Sequence, residues 1–142
     1  MIVRDLPALE GEAASFVKGL VPKEGGATLV TLSGELGAGK TAFVKAAARA
    51  LGIDEVVNSP TFVLEKIYAL SDGPFKKLVH IDTYRLEKGA DLAPLGFEAI
   101  TQEPENLIFI EWPERVHDAL PKPAVAITIR GHADGAREIT YG

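Results

Sequence analysis

Hydrophobic residues recur along this chain with two different periods, which alternate in the order expected of an α/β protein. Continuous apolar runs at Ala27–Leu32 and Leu107–Ile110 have the length and the branched side chains of buried strands. The alanine-rich segment Thr41–Leu51 predicts a helix that Gly52 ends. An earlier helix, ending near Pro22, is predicted by apolar side chains spaced three or four positions apart. These side chains are Leu9, Ala13, Phe16, Val17 and Leu20.

Four further strands are predicted in two pairs, each pair surrounding a short turn that contains Asp and Gly. Each pair is expected to form an antiparallel hairpin. A helical pattern over Leu86–Ile100 is interrupted by Pro94 and Gly96, and Glu114–Leu120 predicts a short helix. The four strands are Phe62–Tyr68, Lys77–Asp82, Val125–Arg130 and Arg137–Tyr141.

The segment between the first apolar strand and its helix carries the strongest chemical signal. Gly34–Thr41 reads Gly-Glu-Leu-Gly-Ala-Gly-Lys-Thr, the phosphate-binding P-loop pattern in the strand-to-helix setting that the pattern requires. Its glycines let backbone N–H groups approach phosphate oxygens, and the helix start adds the positive end of a dipole. Lys40 can reach the β- and γ-phosphates, and the Thr41 hydroxyl can coordinate Mg²⁺. We therefore predict a nucleoside-triphosphate site formed by Glu35, Leu36, Gly37, Ala38, Gly39, Lys40, Thr41 and Ala42.

Two apolar strands end in a carboxylate, which is a group that P-loop enzymes need near Mg²⁺. Asp82 ends one strand and Glu111 ends another. Ligands of open α/β sheets lie beyond the carboxyl ends of the strands, so either residue could reach the metal. Mg²⁺ keeps several waters and needs only one carboxylate besides Thr41 and phosphate oxygens, which leaves the other free to orient or deprotonate a water. We predict that both carboxylates are catalytic.

The expected fold is a P-loop NTPase-like three-layer α/β sandwich, with a mixed, mainly parallel central sheet and antiparallel hairpin additions. A length of 142 residues predicts one domain over 1–142. Hydrophobic residues make up 46% and charged residues 25%, which is ordinary for a globular protein. The chain has no cysteine, so disulfides, thiolate metal sites and cysteine nucleophiles are excluded.

Net charge and hydropathy limit which classes of partner and which cellular locations we expect for this chain. The net charge of −5 argues against a general nucleic-acid binder. No apolar stretch approaches the roughly 20 residues that cross a bilayer. The first five residues lack the apolar core of a signal peptide. We expect a cytoplasmic protein with no membrane association.

Four motifs in this order resemble the TsaE family, also called YjeE, over roughly residues 10–140. They are the P-loop at 34–41, Ser-Pro-Thr-Phe at 59–62, His-Ile-Asp-Thr-Tyr-Arg-Leu at 80–86 and Ile-Glu-Trp-Pro-Glu at 110–114. Members of this family are small bacterial P-loop ATPases that assist synthesis of the threonylcarbamoyladenosine modification of tRNA. One departure is Thr83, where the family usually has leucine, and we expect its side chain to face away from the site.

The resemblance implies a set of roles for individual residues. ATP is then the nucleotide, Thr41 and Glu111 are the Mg²⁺ ligands, and Asp82 is important for hydrolysis. Ser59, Pro60 and Thr61 form a switch-like loop beside the γ-phosphate, and Arg137 lies by the nucleotide. Possible accessory residues near the two carboxylates are Tyr84, Arg85 and Trp112.

The resemblance also implies that the protein partners of this chain are TsaD, which transfers the threonylcarbamoyl group, and its scaffold TsaB. Contact with tRNA is then indirect or made through that complex. The alternative is a small-molecule kinase using the same P-loop, although the arginines after the P-loop helix do not cluster and no insertion has the length of a lid. A regulatory GTPase is the third option, but the Asn-Lys-x-Asp motif that reads guanine is absent.

Overall fold

A mixed β-sheet organises the structure, which in this computed structural model describes residues 1–53, 65–71 and 73–142. Within these ranges the sheet has seven strands in the order β1-β7-β6-β2-β5-β4-β3. They are β1 (Ile2–Val3), β2 (Thr28–Ser33), β3 (Glu65–Ala69), β4 (Lys77–Asp82), β5 (Asn106–Glu111), β6 (Val125–Gly131) and β7 (Arg137–Tyr141).

The centre of the sheet is parallel and its margins are antiparallel. Strands β6, β2, β5 and β4 pair in parallel, while β3 pairs antiparallel with β4 and β7 pairs antiparallel with β6. Both predicted hairpins are therefore confirmed, and so is the mainly parallel centre. The sequence did not indicate β1, which pairs antiparallel with β7, because two residues are too short to show a periodic pattern.

Helices and short helical turns cover both faces of the sheet. They are α1 (Leu6–Lys18), α2 (Lys40–Ala50) and α3 (Phe97–Thr101), together with 3₁₀ segments at Gly89–Leu95, Pro113–Arg115 and His117–Ala119. Side chains of α1 and α2 pack on one face, where Val17, Phe43 and Val44 are fully or almost fully buried. On the other face, Leu92, Phe97 and Val116 pack against β4 and β5. This arrangement confirms three layers.

Two predicted helices differ from the observed ones, for reasons that the sequence contains. The pattern over Leu86–Ile100 yields a 3₁₀ segment with Pro94 inside it, and α3 follows only after Gly96 adopts a left-handed conformation. The segment Glu114–Leu120 forms two single 3₁₀ turns rather than one helix. No helix in the described ranges is both long and apolar enough to cross a membrane.

Candidate functional site

The P-loop connects β2 to α2 and lies directly against β6. Gly34 has a φ of +151°, and a Cβ at this position would come well inside 3.0 Å of the Ile129 carbonyl oxygen. Only glycine therefore allows the loop to pass this close to β6. The loop then reaches Gly39, which is left-handed and precedes the first residue of α2, Lys40. No side chain among the described residues caps this helix end, so its first N–H groups are left without side-chain partners.

A cavity of about 400 Å³ opens in front of the P-loop. The loop and the first turn of α2 form one wall, with Leu36, Gly37, Gly39, Lys40, Thr41 and Ala42. The ends of β4 and β5 form the other wall, with Asp82, Tyr84, Glu111 and Trp112. The structure thus brings both predicted carboxylates to the predicted phosphate loop. Asp82 and Glu111 are direct partners in the parallel register of β4 and β5, which explains why they meet.

Glu111 is the most enclosed acidic group at this site. Its side chain is nearly fully buried and accepts hydrogen bonds from the Thr41 hydroxyl at 3.0 Å and 3.2 Å. The Nε2 atom of His80, which is fully buried inside β4, lies 2.6 Å from the same carboxylate. The His80 Nδ1 atom has no hydrogen-bond partner among the described residues. His80 therefore orients Glu111 and does not face the cavity itself.

The corner formed by Thr41 and Glu111 has donor chemistry that fits Mg²⁺. A hydroxyl and a carboxylate supply hard oxygen ligands, and Mg²⁺ usually keeps several waters besides one or two protein ligands. Among the described residues, the Glu111 carboxylate contacts a hydroxyl and an imidazole rather than a lysine or arginine. The described residues contain no cluster of three or more His, Cys, Asp or Glu side chains in a metal-binding arrangement.

Lys40 folds back onto its own loop. Its Nζ donates to the carbonyl oxygens of Gly34 at 2.6 Å and Glu35 at 2.9 Å, and the residue is almost fully buried. Burial lowers the pKa of the Lys40 amine, while Glu111, Glu114 and Asp82 act in the opposite direction. A phosphate group in the cavity would give this ammonium a charge-assisted hydrogen bond in place of its bonds to neutral carbonyls.

Two aromatic rings beside the cavity contact each other, and each also contacts a positively charged side chain. The Lys40 ammonium lies 4.1 Å from the centre of the Trp112 ring. The Trp112 ring contacts Tyr84, with 5.0 Å between centroids, and the guanidinium carbon of Arg115 lies 5.2 Å from the centre of the Tyr84 ring. Trp112 has a φ of +62° and is the one non-glycine residue with positive φ among those described. Such a conformation costs about 1–2 kcal/mol, so the surrounding structure must hold it.

A second, smaller cavity of about 130 Å³ lies beside the first. It shares Gly39 and Ala42 with the phosphate cavity and adds Arg137 from β7, whose Nε lies close to Gly39. The start of α1 completes this cavity with Asp5, Leu6 and Leu9. Arg137, which was predicted from the resemblance alone, is thereby placed next to the P-loop but outside the phosphate cavity.

Some predicted residues lie elsewhere. Glu35 and Ala38 belong to the loop but do not line the phosphate cavity, and the Ala38 N–H donates to the Glu35 carbonyl at 3.0 Å. Arg85 is exposed and is not part of the cavity wall. The predicted switch-like loop, Ser59, Pro60 and Thr61, falls outside the described residues.

Two contacts were not predicted from the sequence. The His80–Glu111 hydrogen bond could not be found because it depends on the register of β4 and β5, although a histidine inside an apolar strand was a visible signal. The second contact involves Thr83, whose side chain was expected only to face away from the site. Its side chain does not line the cavity, but its hydroxyl contacts the backbone of Glu111 and Trp112.

Comparisons with known proteins identify the family. The model described as "Threonylcarbamoyl adenosine biosynthesis protein TsaE" matches residues 8–139. The chain is 43% identical over 124 residues to the tRNA threonylcarbamoyladenosine biosynthesis protein TsaE of Treponema pallidum, covering 87% of each chain. It is 39% identical over 113 residues to the Bacillus subtilis protein of the same name, covering 80% of this chain and 68% of that one.

A solved structure has the same fold. The crystal structure of Bacillus subtilis YdiB superposes with a TM-score of 0.79 at 29% sequence identity, covering 99% of this chain and 82% of that chain. The family match extends over nearly the whole described sheet and includes both walls of the cavity. This chain belongs to the TsaE family.

Proposed function

We propose that this chain binds ATP with Mg²⁺ at the P-loop and hydrolyses it in support of tRNA threonylcarbamoyladenosine biosynthesis, the process named in its family. The observation that carries this proposal is the convergence of four groups in one cavity. Lys40 and Thr41 stand at the start of α2, and Asp82 and Glu111 face them from two adjacent parallel strands. This is the set that phosphoryl transfer at a P-loop requires.

In this proposal the phosphates occupy the larger cavity and the nucleoside occupies the smaller one beside it. The phosphates would lie in front of the P-loop, where the uncapped start of α2 and the Lys40 ammonium attract anions. The nucleoside would extend past Gly39 and Ala42 toward Arg137 and the start of α1. Since Leu6 and Leu9 provide apolar surface there, a purine base can pack against them while Arg137 stays near the phosphates or the ribose.

Each polar side chain has a distinct task in this proposal. Thr41 and Glu111 would hold Mg²⁺, which when bound neutralises charge on the β- and γ-phosphates. His80 fixes the orientation of Glu111 through its 2.6 Å contact. Asp82 lies on the same wall one strand away and would orient the attacking water or accept its proton.

The arrangement favours an ATPase over a small-molecule kinase. A kinase must hold its acceptor beside the γ-phosphate. A further cavity, of about 530 Å³, is lined by residues such as Leu92, Phe97 and Leu120 and shares none with the phosphate cavity, so an acceptor bound there would lie away from the γ-phosphate. A nucleotide-hydrolysing domain of this kind is suited to driving a partner's conformational cycle. We propose that TsaD and TsaB are those partners, and that any tRNA is contacted through them.

The test is ATP binding and hydrolysis by the purified chain, by Lys40→Ala and by Lys45→Ala. Lys45 is on the same helix but does not line the cavity, so it controls for loss of one positive charge. We expect Lys40→Ala to lose measurable binding with an unchanged circular dichroism spectrum, and Lys45→Ala to bind as the native chain does. Undiminished ATP affinity in Lys40→Ala would refute the phosphate site.

A second measurement separates the two enzyme classes. Purified chain is incubated with ATP and a mixture of metabolites, and then with TsaD and TsaB. We expect no phosphorylated metabolite, slow release of inorganic phosphate by the chain alone, and a changed rate of release when the partners are added. Transfer of phosphate to a metabolite would favour the kinase instead.

A further inference from the structure

Trp112 is strained at its backbone and carries the ring that covers Lys40. Its left-handed conformation lies immediately after β5, where the chain leaves the sheet. The Trp112 N–H still donates to the Leu32 carbonyl of β2 at 3.1 Å, so the nitrogen end of the residue remains bonded to the sheet. The contacts of the carbonyl end then help to decide the backbone conformation of Trp112 and the direction of its indole.

One side chain bridges both sides of the strained residue. The Thr83 hydroxyl lies 2.8 Å from the carbonyl oxygen of Glu111 and 2.5 Å from that of Trp112. These two carbonyls flank the φ and ψ bonds of Trp112. Successive carbonyls point to the same side only in helical-type backbone, right- or left-handed, and to opposite sides in extended backbone. A single hydroxyl can therefore reach both only while Trp112 stays out of the extended conformation.

The Thr83 hydroxyl is an added contact rather than the sole partner of either carbonyl. The Glu111 carbonyl also accepts from the Thr83 N–H at 3.2 Å, and the Trp112 carbonyl also accepts from the Arg115 N–H at 3.1 Å. Thr83 is completely buried, so water does not compete for the hydroxyl. The neighbouring Tyr84 ring packs on the Trp112 indole, which attaches the end of β4 to Trp112 at a second point.

We propose that Thr83 is a positioning residue, whose hydroxyl keeps the Trp112 backbone out of the extended conformation and so keeps the indole over the Lys40 ammonium. In this arrangement the aromatic wall of the phosphate cavity is preformed before any nucleotide arrives. The consequence for nucleotide affinity rests on the proposed function, whereas the placement of Trp112 does not.

The first test uses Trp112 as its own probe, because it is the only tryptophan of the chain. The native chain is compared with Thr83→Val, which keeps the shape and loses the hydroxyl, and with Thr83→Ser, which keeps the hydroxyl. Acrylamide quenching of tryptophan fluorescence is measured without ligand, and ATP affinity is measured separately. We expect quenching in Thr83→Val to rise at least twofold and ATP affinity to fall several-fold, while Thr83→Ser behaves as the native chain does.

The outcomes separate this inference from the proposed function. Native quenching in a folded Thr83→Val overturns the positioning role, and so does a Thr83→Ser variant that matches Thr83→Val, since packing of the methyl group would then explain the effect. If the native chain fails to bind ATP while Thr83→Val still shifts the quenching, the positioning role is supported and the proposed function fails.

A second measurement covers the case in which Thr83→Val does not fold. Glycine adopts the conformation of Trp112 without strain, so in a Trp112→Gly background the loss of the hydroxyl releases no strain. In the native background the relaxation of Trp112 offsets part of the lost hydrogen bonding, so Thr83→Val should raise the unfolding equilibrium constant several-fold more in Trp112→Gly than in the native background. If Thr83→Val does not fold, the same comparison is made with Thr83→Ala. A loss in Trp112→Gly that is equal to or smaller than the loss in the native background overturns the proposal.

Discussion

Replacing Gly34 by alanine should separate the P-loop from the sheet on which it lies. The loop passes so close to β6 that an added Cβ would come well within 3.0 Å of the Ile129 carbonyl, a separation that real Cβ atoms essentially never show. The contacted atom is backbone within a strand that pairs on both sides, so it cannot turn away as a side chain could. The loop itself must therefore move.

Two terms set the size of the effect. A positive φ in a non-glycine residue costs about 1–2 kcal/mol. Inserting a methyl group where no space exists costs a further 1–3 kcal/mol or so. Gly34→Ala should thus lower the free energy of unfolding by about 2–5 kcal/mol. Gly52→Ala is the matched control, because Gly52 has a φ of +92° and no described residue lies within 4 Å of its Cβ position, so only the first term applies.

The assay is urea unfolding of the native chain and three variants, followed by ATP binding. Gly34→Ala should be less stable than Gly52→Ala by about 1–3 kcal/mol, which corresponds to a melting temperature lower by about 3–10 °C. Gly37→Ala provides a second control inside the loop, with a φ of +80° and no described residue within 4 Å of its Cβ position. It should match Gly52→Ala in stability and yet bind ATP more weakly, because Gly37 lines the phosphate cavity.

Equal stability of Gly34→Ala and Gly52→Ala, within about 0.5 kcal/mol, would refute the reasoning, because the close approach to β6 would then carry no energy. Unchanged ATP affinity in Gly37→Ala would show that the loop backbone at Gly37 does not contact the phosphates.

Two further predictions concern acidic side chains. Glu111→Gln should weaken Mg²⁺-dependent ATP binding and hydrolysis together. Asp82→Asn should keep ATP affinity within a few-fold and lower turnover roughly 10²-fold or more. The measurement is a Mg²⁺ titration of ATP binding, and a shift for Asp82→Asn alone would reverse the two roles. Burial raises the pKa of Glu65, and one of its carboxylate oxygens is buried without a partner among the described residues. The ionised form therefore destabilises the native state, so Glu65→Gln should melt higher than the native chain at pH 8, and the difference should vanish as the pH falls toward 4.5.

The parts of the site that could be predicted from sequence are those encoded locally. The P-loop octapeptide fixes its own backbone through glycine spacing, and the apolar runs that end at Asp82 and Glu111 reveal strand ends without knowledge of the fold. Parallel strands then bring such ends to one edge of the sheet. The observed register, in which Asp82 and Glu111 are direct partners, agrees with that reasoning.

Other parts depend on register and on contacts between distant segments. The hydrogen bond of His80 to Glu111 and the contacts of Thr83 with the carbonyls around Trp112 join β4 to the end of β5. A histidine inside an apolar strand signals a buried polar contact without naming its partner, and nothing local distinguishes Thr83 from an ordinary core residue. The 3₁₀ segment at Gly89–Leu95 is an intermediate case, since Pro94 signals an interruption but not the type of helix that results.

The charges that line the phosphate cavity bear on how a partner could control hydrolysis under the proposed function. Lys40 is the one cation among the described residues that line the phosphate cavity, and it faces the carboxylates of Asp82 and Glu111. A bound triphosphate adds further negative charge, and the transferring phosphoryl group needs positive charge on more than one side. Mg²⁺ at Thr41 and Glu111 would supply part of it. The rest would have to come from outside this wall, either from Arg137 beside the P-loop or from a basic side chain of a docked partner. Under the proposed function, a partner that supplies this charge would couple hydrolysis to assembly, and hydrolysis would be slow in the isolated chain.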